Sequence, residues 1–359
     1  MSSIKAGIVG LPNSGKSTLF NALMQRQIAN VADYPFTTVE PNVGVVEVPD
    51  ERIEKISQLT GIKKIVPAAI EFVDIAGLVR GAHKGEGLGN QFLAHIRECD
   101  AILFVLRGFE SPNVAHPFGK IDPKEDLEVL LAELILKDLE TIDKKLEDLK
   151  TQAKANPKLN EKLKFLEKIK KGLEEGKLVK DFLDREELAQ VTDLFLLTAK
   201  PRFLVLNVAE SQLSGGLLNL EAKLPSGTVT IFAKLESELS GFGDDEKKEY
   251  LSTSGISQTA LDKIIKESYK FLDLITFFTI AKGTQVQAWP VRTGTTVFES
   301  AGIVHSDFQK GFITSQVLKY QDLSKIGSWQ KAHDAGKIQT CGRDYRIEDG
   351  DIIEFKSKI

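Results

Sequence analysis

An α/β fold on a mostly parallel sheet, with an inserted helical hairpin and a small α+β module at the end, is the class this 359-residue sequence predicts. Three observations predict it. Short apolar runs alternate with helical or long insertions, the βαβ rhythm of a sheet covered on both faces. The first of those runs ends in a glycine-rich turn that opens a helix. Between two later runs, leucines and isoleucines recur three and four residues apart, a helical rather than a strand period.

The elements follow in order. Residues 4–9 read as a short buried strand, and 17–25 have helical character after the glycine-rich turn. Residues 43–48 read as a strand closed by the Pro49-Asp50 turn. Residues 68–73 form another apolar run, ending at Asp74, and 101–106, 203–206 and 229–232 supply the rest of the sheet. Between 106 and 203, Leu131, Ile135, Leu139, Ile142, Leu146 and Leu149 mark one amphipathic helix. After Asn156-Pro157, a turn signal because proline disfavours helix in the residue before it, Leu159, Leu163, Leu166, Ile169 and Leu173 mark a second. A first helix of about 29 residues would reach roughly 43 Å at 1.5 Å per residue, long for a connection within a compact domain, so the hairpin is expected to project as an arm; the plain alternative is a pair of helices lying flat on the core. From Thr276, alternating Val286, Ala288 and Pro290 and glycines at 283, 294, 302, 311 and 350 punctuate short β-rich pieces. The expected organisation is a nucleotide-binding domain from 1–120 and 200–275, an arm at 121–199, and a terminal module at 276–359.

Composition bounds the function. With 42% hydrophobic residues, 47 Lys+Arg against 51 Asp+Glu and a net charge of -4, the chain is not disordered, collagenous or a strongly basic DNA-coating protein. Two cysteines, Cys99 and Cys341, make no disulfide scaffold, so a reducing compartment is expected. No apolar run reaches the roughly 18 residues of a membrane span. After Lys5 the apolar run is too short for a signal peptide, which leads to an expectation of the cytoplasm and no membrane partner.

Gly10-Leu11-Pro12-Asn13-Ser14-Gly15-Lys16-Ser17 fits G-x-x-x-x-G-K-[ST] between a strand and a helix, the context that gives the motif its meaning. Glycines let backbone N–H groups turn inward around phosphate oxygens, and the helix N-terminus adds partial positive charge. Asn13, Ser14, Gly15, Lys16, Ser17 and Thr18 are the expected phosphate contacts. Lys16 would bridge the β- and γ-phosphates and Ser17 would ligate magnesium. Asp74, at a strand end in Asp74-Ile75-Ala76-Gly77, is placed to hold the same magnesium, and the Gly77 N–H could reach a γ-phosphate. Upstream, Thr38 in Tyr34-Pro35-Phe36-Thr37-Thr38 can add a third oxygen ligand when triphosphate is bound.

The phosphate loop, the Tyr-Pro-Phe-Thr-Thr loop and Asp-Ile-Ala-Gly-Leu, in that order, resemble the Obg-related branch of translation-factor-type P-loop proteins. Gly85-Glu86-Gly87-Leu88-Gly89-Asn90, the hairpin and the segment 288–312 narrow the resemblance to the YchF subfamily, the Obg-like ATPases, over essentially the whole chain. The resemblance implies a P-loop NTPase fold with a coiled-coil arm and a C-terminal β-grasp module of the TGS type. It also implies ribosome contact, through the large subunit or the whole particle, with rRNA as a partner.

Guanine-specific relatives read the base with Asn-Lys-x-Asp; here that place reads Asn207-Val208-Ala209-Glu210. The lysine is gone and the acid is one methylene longer. A carboxylate reader loses its purpose on adenine, whose N1 accepts where guanine's donates, and a missing paired hydrogen bond costs orders of magnitude in specificity. ATP is therefore expected over GTP, with Asn207 on the adenine edge, Val208 offering backbone contacts and packing, and Glu210 at the base end. Leu78 stands where many switch proteins carry glutamine, so another group must orient water or the intrinsic rate is low. The resemblance offers His116, in a loop after the 101–106 strand, which would act with Lys16 and Gly77; the plain alternative is a solvent-exposed loop histidine. It also offers Asn13 as a potassium-binding asparagine. His83 and His95 have no second His or Cys at ligand spacing, so no zinc site is expected.

The -4 is unevenly spread. Residues 144–171 hold ten Lys against four acids, formally +6, and 276–359 hold eleven Lys/Arg against nine acids, about +2. A basic arm suits RNA phosphates, although solvated Lys/Glu-rich hairpins are common. The reading is a monomeric, magnesium-dependent ATPase switch that binds the ribosome. Its alternatives are an Obg-like GTPase with a degenerate base motif, a P-loop kinase, against which the Asp74 and Thr38 segments argue, and a nucleotide-stabilised RNA-binding scaffold with negligible turnover.

Overall fold

In the computed structural model of the chain, the described residues are 4–25, 42–75, 88–112, 114–154, 156–212, 220–239, 246, 259–281 and 284–358. The chain divides into two compact units: Lys5–Ala22 with Phe72–Ala260, and Met1–Ile4 with Leu23–Glu71 and Leu261–Ile359.

The strands are β1 (Lys5–Val9), β2 (Val43–Glu47), β3 (Lys64–Val66), β4 (Ala69–Asp74), β5 (Ala101–Arg107), β6 (Arg202–Asn207), β7 (Val229–Ile231), β8 (Leu274–Ala281), β9 (Gln285–Arg292), β10 (Phe312–Lys319), β11 (Gln339–Cys341) and β12 (Asp351–Ser357). One six-stranded sheet has the order β2-β4-β1-β5-β6-β7. Within it β1 pairs with β5, β5 with β6 and β6 with β7, all in parallel. Every residue of β5 is buried, as an apolar run covered on both faces requires. The six apolar runs read from the sequence each became a strand of this sheet, and the fold is the α/β class expected.

Helix α1 (Lys16–Met24) follows β1 directly, and α3 (Leu88–Glu98) precedes β5; α2 (Glu51–Thr60) lies between β2 and β3. The first hairpin helix, α4 (Pro123–Ala153), runs 31 residues. Asp122 caps it by accepting from Glu125 N at 3.3 Å, Pro123 opens it, and Glu125 and Asp126 place negative charge in its first turn. Its partner is α5 (Asn160–Glu174), after a turn in which Asn156 accepts from Lys158 N.

Helix α4 serves two cores in succession. Leu127, Leu130 and Leu134 pack with the sheet residues Phe104, Leu106 and Leu206. Ile142, Leu146 and Leu149 pack instead with Leu166, Ile169 and Leu173 of α5 and with Leu194 and Leu196. Asp138 stands at the changeover, fully buried. It accepts from Leu197 N (2.8 Å), Thr198 N (2.7 Å) and Thr198 Oγ1 (2.6 Å), which satisfies backbone groups that a leucine there would strand.

A second six-stranded sheet has the order β11-β10-β12-β8-β9-β3. Strands β8 and β9 form an antiparallel hairpin, β12 lies parallel to β8, and β10 pairs antiparallel with β12 and with β11. This is the β-grasp order. Helix α8 (Val297–Val304; α6 and α7 are Ala233–Leu239 and Ala260–Phe271) carries a capping box between Thr296 and Glu299. Its Val297 and Ala301 pack with Phe277, Trp289 and Phe312. Strand β3 adds to this sheet in parallel, Lys64 opposite Gln285. Helix α2 joins the same unit: Arg52 bonds its own cap residue Asp50 and reaches Asp349 at 2.6 Å. Strand β3 and helix α2 thus join the terminal module's unit from outside segment 276–359, while β2 and β4 pair within the first sheet.

Candidate functional site

Strands β1, β5, β6 and β7 run parallel, so the described loops that follow them lie at one end of the sheet, where open parallel sheets bind ligands beyond their strands' carboxyl ends. The first is the glycine-rich turn. Gly10 is required by space, since a Cβ there would stand 2.4 Å from Val105 O and 2.7 Å from Ser14 Oγ. Gly15 has φ +95°, and a Cβ on it would meet Asn207 Nδ2 at 2.1 Å. Asn13 takes the left-handed conformation too, φ 64°, which asparagine tolerates better than most residues.

Lys16 opens α1 with its side chain buried, donating from Nζ to Leu11 O at 2.9 Å. Burial pushes its ammonium below the usual lysine value, and Asp74 opposes that shift. Ser17 and Thr18 are exposed on the first turn of α1, and Ser17 Oγ donates to Asp74 Oδ2 at 3.2 Å. Burial raises the Asp74 carboxyl above the ordinary range, against the Ser17 hydrogen bond and Lys16. Asp74 Oδ1 and Ser14 Oγ are buried without a hydrogen-bond partner among the described residues. An unmatched carboxylate oxygen beside a serine hydroxyl is a donor set suited to a hard cation that takes oxygen ligands. Thr38 and Gly77, and Leu78 beside it, lie outside the described residues, as does His83.

A cavity of about 690 Å³ runs from this loop past Phe109, Val114, Val208, Ala209, Glu210 and Phe232 to Leu235. Asn207, at the end of β6, is buried and both ends of its amide are engaged. Nδ2 donates to Ser14 O at 3.0 Å, and Oδ1 accepts from Ala233 N at 3.1 Å. The side chain expected on a base edge instead ties the phosphate loop to the loop after β7. Val208 is buried, with its N–H given to Ile231 O. Glu210 is exposed at the cavity's far end. Gln212 joins the two walls, accepting from Ala209 N and donating to Gly108 O, both at 2.8 Å.

His116 differs from both sequence expectations in its surroundings. Its side chain is only 5% exposed, so it is not a free loop histidine. Phe118 N donates to Nδ1 at 3.2 Å, which makes Nδ1 an acceptor; a neutral ring then carries its proton on Nε2, 3.1 Å from Asp126 Oδ2. Both ring nitrogens are thus occupied away from the phosphate loop. Burial raises the Asp126 carboxyl, with His116 opposing the shift, and Asp126 Oδ1 has no hydrogen-bond partner among the described residues. Asn13 Nδ2 donates to Ala115 O at 3.0 Å, tying the phosphate loop to the His116 loop.

Sequence reasoning missed Arg107, Phe109 and Asp126. Arg107 had a visible signal, a lone charge closing the apolar strand Ala101–Arg107. Asp126 had none, since an acid in a helix's first turn is ordinary.

A family model labelled YchF-GTPase_C and described as "Protein of unknown function (DUF933)" matches residues 274–358, and one described as "50S ribosome-binding GTPase" matches 5–159. A Bacillus subtilis protein named "Ribosome-binding ATPase YchF" is 43% identical, covering 99% of this chain and 100% of its own length. Its Haemophilus influenzae namesake is 41% identical, with 99% of each chain covered. Among solved structures, the Schizosaccharomyces pombe YchF GTPase superposes with a TM-score of 0.87 at 34% identity, over 99% of this chain and 98% of that one.

Proposed function

The chain belongs to the YchF family, and from that membership we propose that it binds ATP with magnesium, hydrolyses it to ADP and phosphate, and couples nucleotide state to ribosome binding. The observation that carries the nucleotide reading is the cavity lined both by the phosphate loop and by Val208, Ala209 and Glu210. Relatives carry both ATPase and GTPase in their names, so the base is the point to test. ATP is favoured because no lysine packs along the base and the acid is displaced by a methylene. Competition calorimetry of ATP against GTP decides it: tighter GTP binding overturns the adenine assignment.

In the mechanism, Lys16 exchanges Leu11 O for phosphate oxygens, a short move for a buried ammonium already pointed at the loop. Ser17 and Asp74 would hold magnesium, with Thr38 as a further oxygen donor and the Gly77 N–H as the proposed contact for the γ-phosphate. Bound magnesium supplies charge neutralisation on the phosphate oxygens. Asn13, Ser14, Gly15 and Thr18 shape the phosphate end. Asn207 acts by holding that end in register, while Val208 and Glu210 border the base. His116 orients or deprotonates water after its Asp126 hydrogen bond opens, so the intrinsic rate is slow; an unchanged rate in H116A removes this role. Potassium beside Asn13 is the companion proposal, and equal rates in sodium and potassium remove it.

The working segments are the nucleotide part at 1–120 and 200–275, the arm at 121–199 and the β-grasp module at 276–359. Of the ten lysines in 144–171, Lys150, Lys168 and Lys170 are in ion pairs and the others have none among the described residues. That unneutralised charge supports an rRNA contact for the arm. The protein acts as a cytoplasmic monomer, and no described helix is long and apolar enough to cross a membrane.

A further inference from the structure

Arg107 is among the largest fully buried side chains, 2% exposed, at the carboxyl end of β5. Its guanidinium bonds carbonyls rather than a carboxylate. Nε donates to Phe109 O (3.1 Å), Nη2 to Val114 O (2.8 Å), and Nη1 is shared between Ala115 O (3.3 Å) and Asn13 O (3.5 Å). The same plane lies over the Phe109 ring, 4.5 Å from its centroid. Among the described residues it forms no ion pair; Asp126 is the one described carboxylate that acts on it, and only at longer range.

We propose that Arg107 is the positioning residue of the nucleotide cavity, fixing the wall that carries Phe109 and Val114 against the phosphate loop at Asn13. Two features separate this from simple structural filling. Phe109 and Val114 line the cavity, so what the fork holds is the surface a nucleotide touches. A buried charge spent on neutral carbonyls is costly, and a bound polyphosphate next to the Asn13 segment is the anion that compensates it. Only a planar fork reaches four carbonyls and stacks at once; a lysine cannot. The pairing also explains why Asn13 Nδ2 and Arg107 Nη1 converge on Ala115 O.

The inference rests on the nucleotide reading, and its test separates the two. ADP is titrated calorimetrically into the full chain and into R107K, with kcat and KM for ATP and apo melting measured in parallel. R107K should weaken ADP about tenfold and raise KM equally, with kcat changed less than about threefold, because a loosened wall costs binding before chemistry. A folded R107K with unchanged ADP Kd and KM overturns the proposal, whatever its melting temperature. If R107K does not fold, R107Q decides: its shorter planar amide keeps some of the carbonyl bonds and leaves every cavity-lining side chain in place. Weakened ADP binding by a folded R107Q supports the proposal, and an unchanged Kd overturns it. Failure of the unmodified chain to bind ADP refutes the nucleotide reading and the proposal with it.

Discussion

Asn207→Ala distinguishes a base-reading side chain from one that holds the site together. The substitution removes two hydrogen bonds, at 3.0 Å to Ser14 O and 3.1 Å from Ala233 N, inside a site where Asn207 is buried. Each such bond contributes about 0.5–1.5 kcal/mol net, and each buried partner left unmatched costs about 1–3 kcal/mol. The expected loss of apo stability is therefore about 2–4 kcal/mol, part of which water entering the vacated space returns. Ser14 O belongs to the phosphate loop, so the same loss loosens the loop for every nucleotide. If about 1.4 kcal/mol of it reaches binding, affinity falls tenfold for ATP, GTP and ADP alike. The assays are urea denaturation for stability and competition calorimetry for the three ligands. A variant that melts like the parent and loses ATP affinity while keeping GTP affinity refutes the argument, because that pattern belongs to a side chain on the adenine edge.

Three further outcomes are expected. Asp74→Asn should raise the magnesium concentration needed for ATP turnover at least tenfold. It should also raise the magnesium-free melting temperature at pH 7. Burial lifts the folded carboxyl's pKa, so the fold favours the protonated form and the ionised group costs stability at neutral pH, a cost that fades as pH falls through the folded value. Asp138→Asn replaces an acceptor of three donors with a group that can accept at only one end, so denaturation should report a loss of about 3 kcal/mol or more without a change in ADP affinity. Burial pushes the Cys99 thiol up to about 12, so iodoacetamide at pH 8 should leave it unmodified until the chain unfolds; rapid labelling of the native protein would contradict this.

The sheet was legible because its strands are local apolar runs, and their sequence spacing already implies parallel pairing through intervening helices. The phosphate end was legible for a related reason: Gly10, Gly15, Lys16 and Ser17 are neighbours in the chain, and their chemistry is set by backbone geometry within one turn. The opposite held for Asn207 and His116. Their residue types were noticed, but what each side chain bonds is decided by Ser14, Ala233 and Asp126, which the fold brings in from elsewhere. Arg107 is the extreme case, since four carbonyls and a ring give it meaning and no pattern in the sequence marks them. The pairing of β3 with the terminal module was illegible too, because a three-residue strand such as Lys64–Val66 has too short a pattern to name its partner.

That short strand also sets a timetable for synthesis. Lys64 pairs with Gln285, so β3 leaves the ribosome long before the hairpin it completes. At about 5–20 residues per second the wait for the roughly 220 intervening residues is on the order of ten to forty seconds. Through that interval the backbone donors and acceptors of Lys64–Val66 are exposed to any passing chain, the hazard of every open sheet edge. Lys63 and Lys64, charged and at the strand's start, are the kind of residue that discourages such pairing. The same logic applies to an excised terminal module: without residues 64–66, β9 becomes an unprotected edge, and association between copies is the expected result.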